Sequence, residues 1–319
     1  MNNNLLIKKY QPINFNTYEN NFEIINILKT LILIDDLNIL LLGNTCSGKT
    51  TLLNTLISEY FQGFSPNEYN LNILIINNLK ELGINYYRND VKTFCQTCST
   101  IHNKKKLVIL DDIDLINEQS QQIFRNCIDK YSNNVNFICS CSNIYKVIES
   151  IQSRLNILKI NSFSRENLEN IFEKIKLNEN IEITNEAKDF ILNISNNNVK
   201  TLINYMEKFK LFNNKIELNN AIELTSNISF LTFDNLTKLI LEKDLKNSIK
   251  LINSFYENGY SVIDILDNYF IYLKNSSLFD DKQKYNITSI ICKYISIFHI
   301  IHEDEIELSL FVNNLIKII

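Results

Sequence analysis

A chain of 319 residues, 45% hydrophobic, is long enough for two or three domains with cores of their own. Its 32 Lys and Arg against 36 Asp and Glu leave a net charge of −4, which excludes a uniformly basic nucleic-acid binder. Contact with DNA would have to come from a local patch or from an assembly. Gly (5), Pro (2) and Trp (0) are scarce while Asn, Ile and Lys are abundant, a bias of AT-rich coding in which Asn takes over the turns. The odd number of Cys (7) and an N-terminus without the charged and apolar regions of a signal peptide predict free thiols in a reducing, intracellular setting. Cys95 and Cys98 make a lone C-x-x-C without a second pair at zinc spacing, and no apolar run has the length of a membrane span.

In chain order, an entry segment over residues 5–36 carries Lys8-Lys9-Tyr10-Gln11-Pro12 and a helix from Glu23 to Leu33. The apolar run Leu37 to Leu42 reads as a strand, followed by Gly43-Asn44-Thr45-Cys46-Ser47-Gly48-Lys49-Thr50 and a helix from Thr51 to Tyr60. Further strands are expected at Leu71–Ile76, Leu107–Leu110, Val135–Cys141 and Asn156–Ile160. Helices between them are expected at Tyr86–Cys95, Glu118–Tyr131 and Tyr145–Ser150. Alternating strands and helices predict an α/β domain with a parallel sheet covered on both faces. Past Asn161 the strands stop. Amphipathic helices predict a small helical domain over 162–225 and an all-α block over 226–319, after a nucleotide-binding domain over 1–161.

The chemistry starts at the glycine loop. Strand, glycine loop and helix in that order form a P-loop, whose backbone N–H groups and helix N-terminus present partial positive charge to phosphate. Lys49 is the residue placed to reach the outer phosphates, and the Thr50 hydroxyl to hold Mg²⁺. Two glycines of only 5 in the chain fall in this loop, so chance is a poor explanation. About sixty residues on, Asp111 ends an apolar strand where a carboxylate can act on Mg²⁺ opposite Thr50, and Asp112 is placed to orient an attacking water. Arg154 follows on a turn, too far along the chain to belong to the P-loop. In ring ATPases a neighbour's Arg completes the site.

These residues carry a family resemblance. Lys9-Tyr10-Gln11-Pro12 resembles a K-Y-R-P entry motif, and Leu107 to Asp114 resembles V-I-L-D-E-A-D. Gln121 to Arg125 resembles Q-Q-A-L-R, Asp129 to Ser132 resembles E-K-Y-S, and Ile151 to Arg154 matches I-Q-S-R. Asn77, Glu81, Gly83 and Ile84 fall on the box L-N-A-S-D-E-R-G-I. The chain is similar to the small subunits of replication factor C, the sliding-clamp loader of the AAA+ ATPases. The resemblance implies a P-loop AAA+ domain, a helical lid and a helical collar, assembled as a hetero-pentamer that uses ATP and Mg²⁺. Such a complex opens a clamp and loads it at primed DNA, in the nucleus or in a viral replication factory. It implies that Tyr10 and Pro12 border the nucleotide, that Arg154 acts in trans, and that Lys200 senses the γ-phosphate. Arg88 and Lys146 fall on positions that face the DNA backbone, where contact without base reading suits a loader.

Departures from the family pattern bear on hydrolysis. Asp112 replaces a Glu, shortening the base by one methylene. Ser142 stands at the usual sensor Asn, with Asn143 adjacent as a substitute, and Lys200 replaces an Arg and loses its planar fork. Val91 and Phe94, on the helix from Tyr86, are candidates to face the clamp. Two alternatives remain open: a nucleotide-binding scaffold that hydrolyses little, and another DNA-linked AAA+ protein such as a helicase loader. The acidic run Glu303-Asp304-Glu305-Ile306-Glu307 weighs against a C-terminal DNA-reading domain.

Overall fold

The computed structural model describes residues 5–18, 22–77, 84–212, 214–225, 230–276, 278–298 and 300–318. Its N-terminal part runs α1 (Leu6–Lys9), α2 (Phe22–Ile34), β1 (Ile39–Leu42), α3 (Lys49–Tyr60) and α4 (Pro66–Tyr69). It continues β2 (Ile73–Asn77), α5 (Ile84–Gln96), β3 (Lys106–Asp111), α6 (Glu118–Tyr131), β4 (Val135–Cys141), α7 (Glu149–Gln152) and β5 (Asn156–Lys159). The remainder is α8 (Arg165–Glu179), α9 (Asn185–Ile194), α10 (Val199–Phe212), α11 (Leu218–Thr225), α12 (Phe230–Leu241), α13 (Leu245–Glu257), α14 (Val262–Asn275), α15 (Asp281–Phe298) and α16 (Glu305–Ile318).

The five strands form one sheet in the order β2-β3-β4-β1-β5, and every pair is parallel. Because side chains alternate along a strand, one run of apolar residues serves two cores. Ile39 and Leu41 of β1 join Leu107 and Ile109 of β3 in a core with Leu28 of α2 and Leu52, Leu53 and Leu56 of α3. Leu40, Val108 and Leu110 point the other way, into a core with Val91 of α5 and Phe124 and Ile128 of α6. The fold is therefore the α/β P-loop architecture expected, and β4 lies between β1 and β3.

Three local expectations are corrected. The segment from Tyr145 to Ser150 is not one helix but a 3-10 turn, Ile144–Lys146, followed by α7. Two side-chain amides supply the reason. Gln152 Nε2 donates to the carbonyls of Ile144 (3.1 Å) and Val147 (2.7 Å), and Gln121 Nε2 to that of Lys146 (2.9 Å), taking acceptors a continuous helix would use. Strands do not wholly stop after Asn161, since Ile183 and Ile216 make an isolated parallel bridge. Val91 is fully buried in the second sheet core and Phe94 packs against that core, so Val91 is not available to a clamp. Of the conserved-type box at 77–84, Glu81 and Gly83 lie outside the described residues.

Contacts divide the chain into two units, residues 1–175 with 197–204 and residues 176–196 with 205–319. These borders differ from those expected at 161 and 225, because α8 and α10 each run through a border. The second unit is built around aromatic rings: Phe233 packs on Phe255, Tyr269 and Tyr272, and Phe311 bridges Tyr269 and Tyr294. Glu303, from the acidic run, accepts from Ile263 N at the start of α14 (3.1 Å), where a carboxylate complements the helix dipole. No helix among the described residues is long and apolar enough to cross a membrane.

Candidate nucleotide site

The loop after β1 is tied to the sheet by Gly43 N, which donates to Cys141 O at 3.2 Å. Gly43 leaves no room for a side chain, since an added Cβ would lie 2.7 Å from Ser47 Oγ and 3.0 Å from Ile160 O. Cys46 has φ +60° and Gly48 φ +91°, so the loop turns twice through the left-handed region before α3 begins at Lys49. That path brings Lys49, 7% exposed, back over its own loop, where Nζ donates to Gly43 O (2.8 Å) and Asn44 O (3.0 Å). A buried ammonium ringed by loop carbonyls and backbone N–H groups is a phosphate cradle.

At Gly48 an added Cβ would fall 2.7 Å from the Tyr18 hydroxyl, and the positive φ adds backbone strain of about 1–2 kcal/mol for any L side chain. Gly48→Ala is accordingly expected to lower the melting temperature by a few degrees and to weaken nucleotide affinity at least tenfold, read by thermal melts and nucleotide titration. Native affinity with a native melt would refute this account of the loop.

Across the sheet edge, Thr50 Oγ1 donates to Asp111 Oδ2 at 3.0 Å, so the P-loop and the end of β3 meet as expected. The other carboxylate oxygen of Asp111 accepts from Ser140 Oγ of β4, and that same Oγ accepts from Asp112 N at 2.9 Å. Asp112 itself sits at φ +54°. Burial pushes its carboxyl above the usual carboxylate range; Asp111 and Asp114 add to the rise and Lys49 opposes it. A raised pKa makes a carboxylate a better proton acceptor.

A cavity of about 540 Å³ opens beside these groups, within the first unit. Lining it are Thr45, Cys46, Gly48, Lys49, Thr50 and Asp112, joined by Tyr10 and Pro12 of the entry segment and by Ser142 and Lys200. The structure thus gathers residues 190 positions apart in the chain (Tyr10 to Lys200) around one cavity. Gly43, Asn44 and Ser47 form the loop behind it. Apolar walls come from Ile7, Phe163, Ile171, Ile175 and Ile203, which sequence reasoning did not single out, and Lys174 adds a third cation beside Lys49 and Lys200. Tyr18 was missed too: it lines the cavity, its OH donates to Gly48 O at 3.4 Å, and burial pushes its hydroxyl pKa up.

The two sensor candidates differ. Ser142 lines the cavity, but its Oγ donates to Asp114 Oδ2 at 2.8 Å. Asn143 is outside the cavity lining; its Oδ1 accepts from Tyr145 N at 3.0 Å and its N donates to Asp114 Oδ2 at 3.0 Å. The Asn143 side chain caps the following turn, which corrects its placement as a nucleotide contact. An Asn just before a short turn is a capping signal, and it was legible as such.

The family described as "ATPase family associated with various cellular activities (AAA)" matches residues 39–163, and the "Replication factor C C-terminal domain" matches residues 231–294. A replication factor C small subunit of Picrophilus torridus is 26% identical over 286 residues, spanning 89% of this chain and 88% of that one. Replication factor C subunit 4 of Saccharomyces cerevisiae is 28% identical over 275 residues, spanning 84% and 82%. Both family matches and these relatives support a replication factor C small subunit. Among solved structures, the RuvB Holliday junction branch migration motor of Thermotoga maritima shares the fold, with a TM-score of 0.54, 13% identity, and coverage of 72% of this chain and 79% of that one.

Arg154 stands apart from the cavity. It is one-third exposed and pairs through Nε with Asp129 Oδ1, while Nη1 donates to Ser150 O (2.7 Å) and Ser153 Oγ (3.3 Å). Asp129 also faces Arg125, 3.4 Å away, and the bond from Arg154 is the main reason its carboxyl is held below the usual range. Arg88 on α5 and Lys146 on the 3-10 turn are both exposed, and the Gln121 amide braces the Lys146 carbonyl.

Proposed function

We infer that this chain is an ATP-binding subunit of a clamp loader, which uses ATP binding and hydrolysis to open a sliding clamp and place it at primer–template junctions during DNA replication. The observation that carries this reading is a P-loop lysine and a P-loop threonine lining one cavity, with the strand-end Asp111 bonded to that threonine, in a chain whose C-terminal part matches the replication factor C domain. The residues fit Mg²⁺-ATP. Lys49 has its ammonium in the loop, Thr50 and Asp111 present oxygens to each other at 3.0 Å, and Tyr10, Pro12 and the apolar walls suit a base. Bound there, Mg²⁺ supplies charge neutralisation between the outer phosphates. Asp112 would orient the water, Lys200 would meet the γ-phosphate, and Arg154 would serve the ATP of an adjacent subunit. The proposed division is a nucleotide-binding domain to residue 161, a lid to 225 and a collar beyond.

Partners follow from the same reading: related loader subunits in a hetero-pentamer, a clamp, and primed DNA held through backbone contacts at Arg88 and Lys146. Five subunits would multiply a weak patch on a chain of net charge −4. The setting is a nuclear or viral site of replication. ATP turnover of the reconstituted loader is expected to rise several-fold with primed DNA and clamp together. Turnover indifferent to both would end the clamp-loader assignment. One observation favours a weakly hydrolysing scaffold as second reading: the Ser142 hydroxyl is committed to Asp114, and Asp112 is a methylene shorter than the Glu it replaces.

A further inference from the structure

Because β4 lies between β1 and β3, the strand that leads into the P-loop is not paired with the strand that ends in Asp111, and β4 runs between them. Leu110 is in register with Cys139, which sets Asp111 level with Ser140. Ser140 is fully buried. Its hydrogen-bond arrangement has one solution. Asp112 N can only donate, so Ser140 Oγ accepts there, and its own proton goes to Asp111 Oδ1. With Thr50 Oγ1 donating to Oδ2, the Asp111 carboxylate is held at both oxygens.

We propose that Ser140 is a positioning residue of the nucleotide site: one buried hydroxyl orients the Asp111 carboxylate toward Thr50 and holds Asp112 in the left-handed backbone conformation that carries its carboxylate toward the cavity. A non-glycine residue at φ +54° is disfavoured, and a bond to its N–H offsets that cost. The flanking strand residues cannot take over, since Cys139 and Cys141 point into the opposite core with thiols that are weak donors. The proposal rests on reading Asp111 and Asp112 as the carboxylates of the nucleotide site.

The test uses the full chain for binding and the reconstituted loader for turnover. Three variants separate hydroxyl from volume: Ser140→Ala, Ser140→Cys, which keeps the size and loses the strong hydrogen bonds, and Ser140→Thr, which keeps the hydroxyl. Ala and Cys are expected to bind ATP in EDTA within about twofold of native. They should bind Mn²⁺ about tenfold more weakly when ATP-loaded, measured by electron paramagnetic resonance, and lose about tenfold in kcat with little change in KM. Thr should restore both to within a few-fold.

Native Mn²⁺ affinity and native kcat in the Ala and Cys variants would overturn the proposal. So would equal losses in EDTA for all three variants, which would mean a packing defect. Asp111→Ala is the control for the underlying reading. If it too kept Mn²⁺ binding and turnover, the carboxylate assignment itself would fall; if it lost them while Ser140→Cys did not, only the role of Ser140 would.

Discussion

Lys49→Ala is expected to abolish nucleotide binding by this subunit at concentrations where the native chain is saturated. The ammonium is the only charged donor inside the loop, and it is already desolvated, 7% exposed, with Gly43 O and Asn44 O at 2.8 and 3.0 Å. A phosphate arriving at the loop exchanges those neutral carbonyls for a dianionic partner, and a hydrogen bond between charged groups contributes about 1.5–3 kcal/mol. Two such bonds correspond to a loss of roughly two to four orders of magnitude in affinity. Titration with a fluorescent ATP analogue gives the number, and a thermal melt without nucleotide separates lost binding from lost folding. If Lys49→Ala left both binding and loader turnover at native levels, the site in this subunit would be dispensable.

Arg154→Ala should behave in the opposite way, with native ATP affinity in the isolated chain and a slowed loader. Arg154 is no part of the cavity lining of its own subunit, so nothing it does there depends on its own nucleotide. What the structure provides instead is a held guanidinium: Asp129 and Ser150 O engage Nε and Nη1 and leave Nη2 without a partner among the described residues. An arginine presented in this manner to a developing phosphoryl charge accounts for roughly 10³–10⁵ in rate in related phosphoryl transfers. In a ring where one site of several depends on it, the bulk effect is smaller, so turnover should be measured with the other sites silenced. The ion pair also predicts a pH dependence. Asp129 is held below the usual carboxylate range, so its pairing with Arg154 is complete at neutral pH and is lost only as pH falls through that lowered value. Loss of ATP binding in the isolated Arg154→Ala chain would place the residue in its own site and end the trans reading.

Much of the site was legible because its signals are local. Strand, glycine loop and helix are consecutive, and the periods of two and 3.6 mark β4 (Val135–Cys141) and α6 (Glu118–Tyr131) to the residue. Asp111 was legible from its position at the end of an apolar strand. The misplaced features are those in which a local pattern had two physical outcomes. Val91 lies on an amphipathic helix whose buried face is set by the sheet it covers, and the 145–150 segment loses its helix to amides of Gln121 and Gln152.

By itself, then, the sequence determined the order of elements, the left-handed turn at Gly48, and the identities of the groups that carry charge, since each depends on backbone sterics or side-chain chemistry within a few residues. Only the tertiary structure decided which of those groups meet. Ser140 reaches Asp111 across 29 residues and Tyr18 reaches Gly48 across 30, contacts that exist because β4 inserts between β1 and β3 and because the entry segment folds back over the loop. A hydroxyl in an apolar strand has no local signature of its task; the neighbouring strand assigns it.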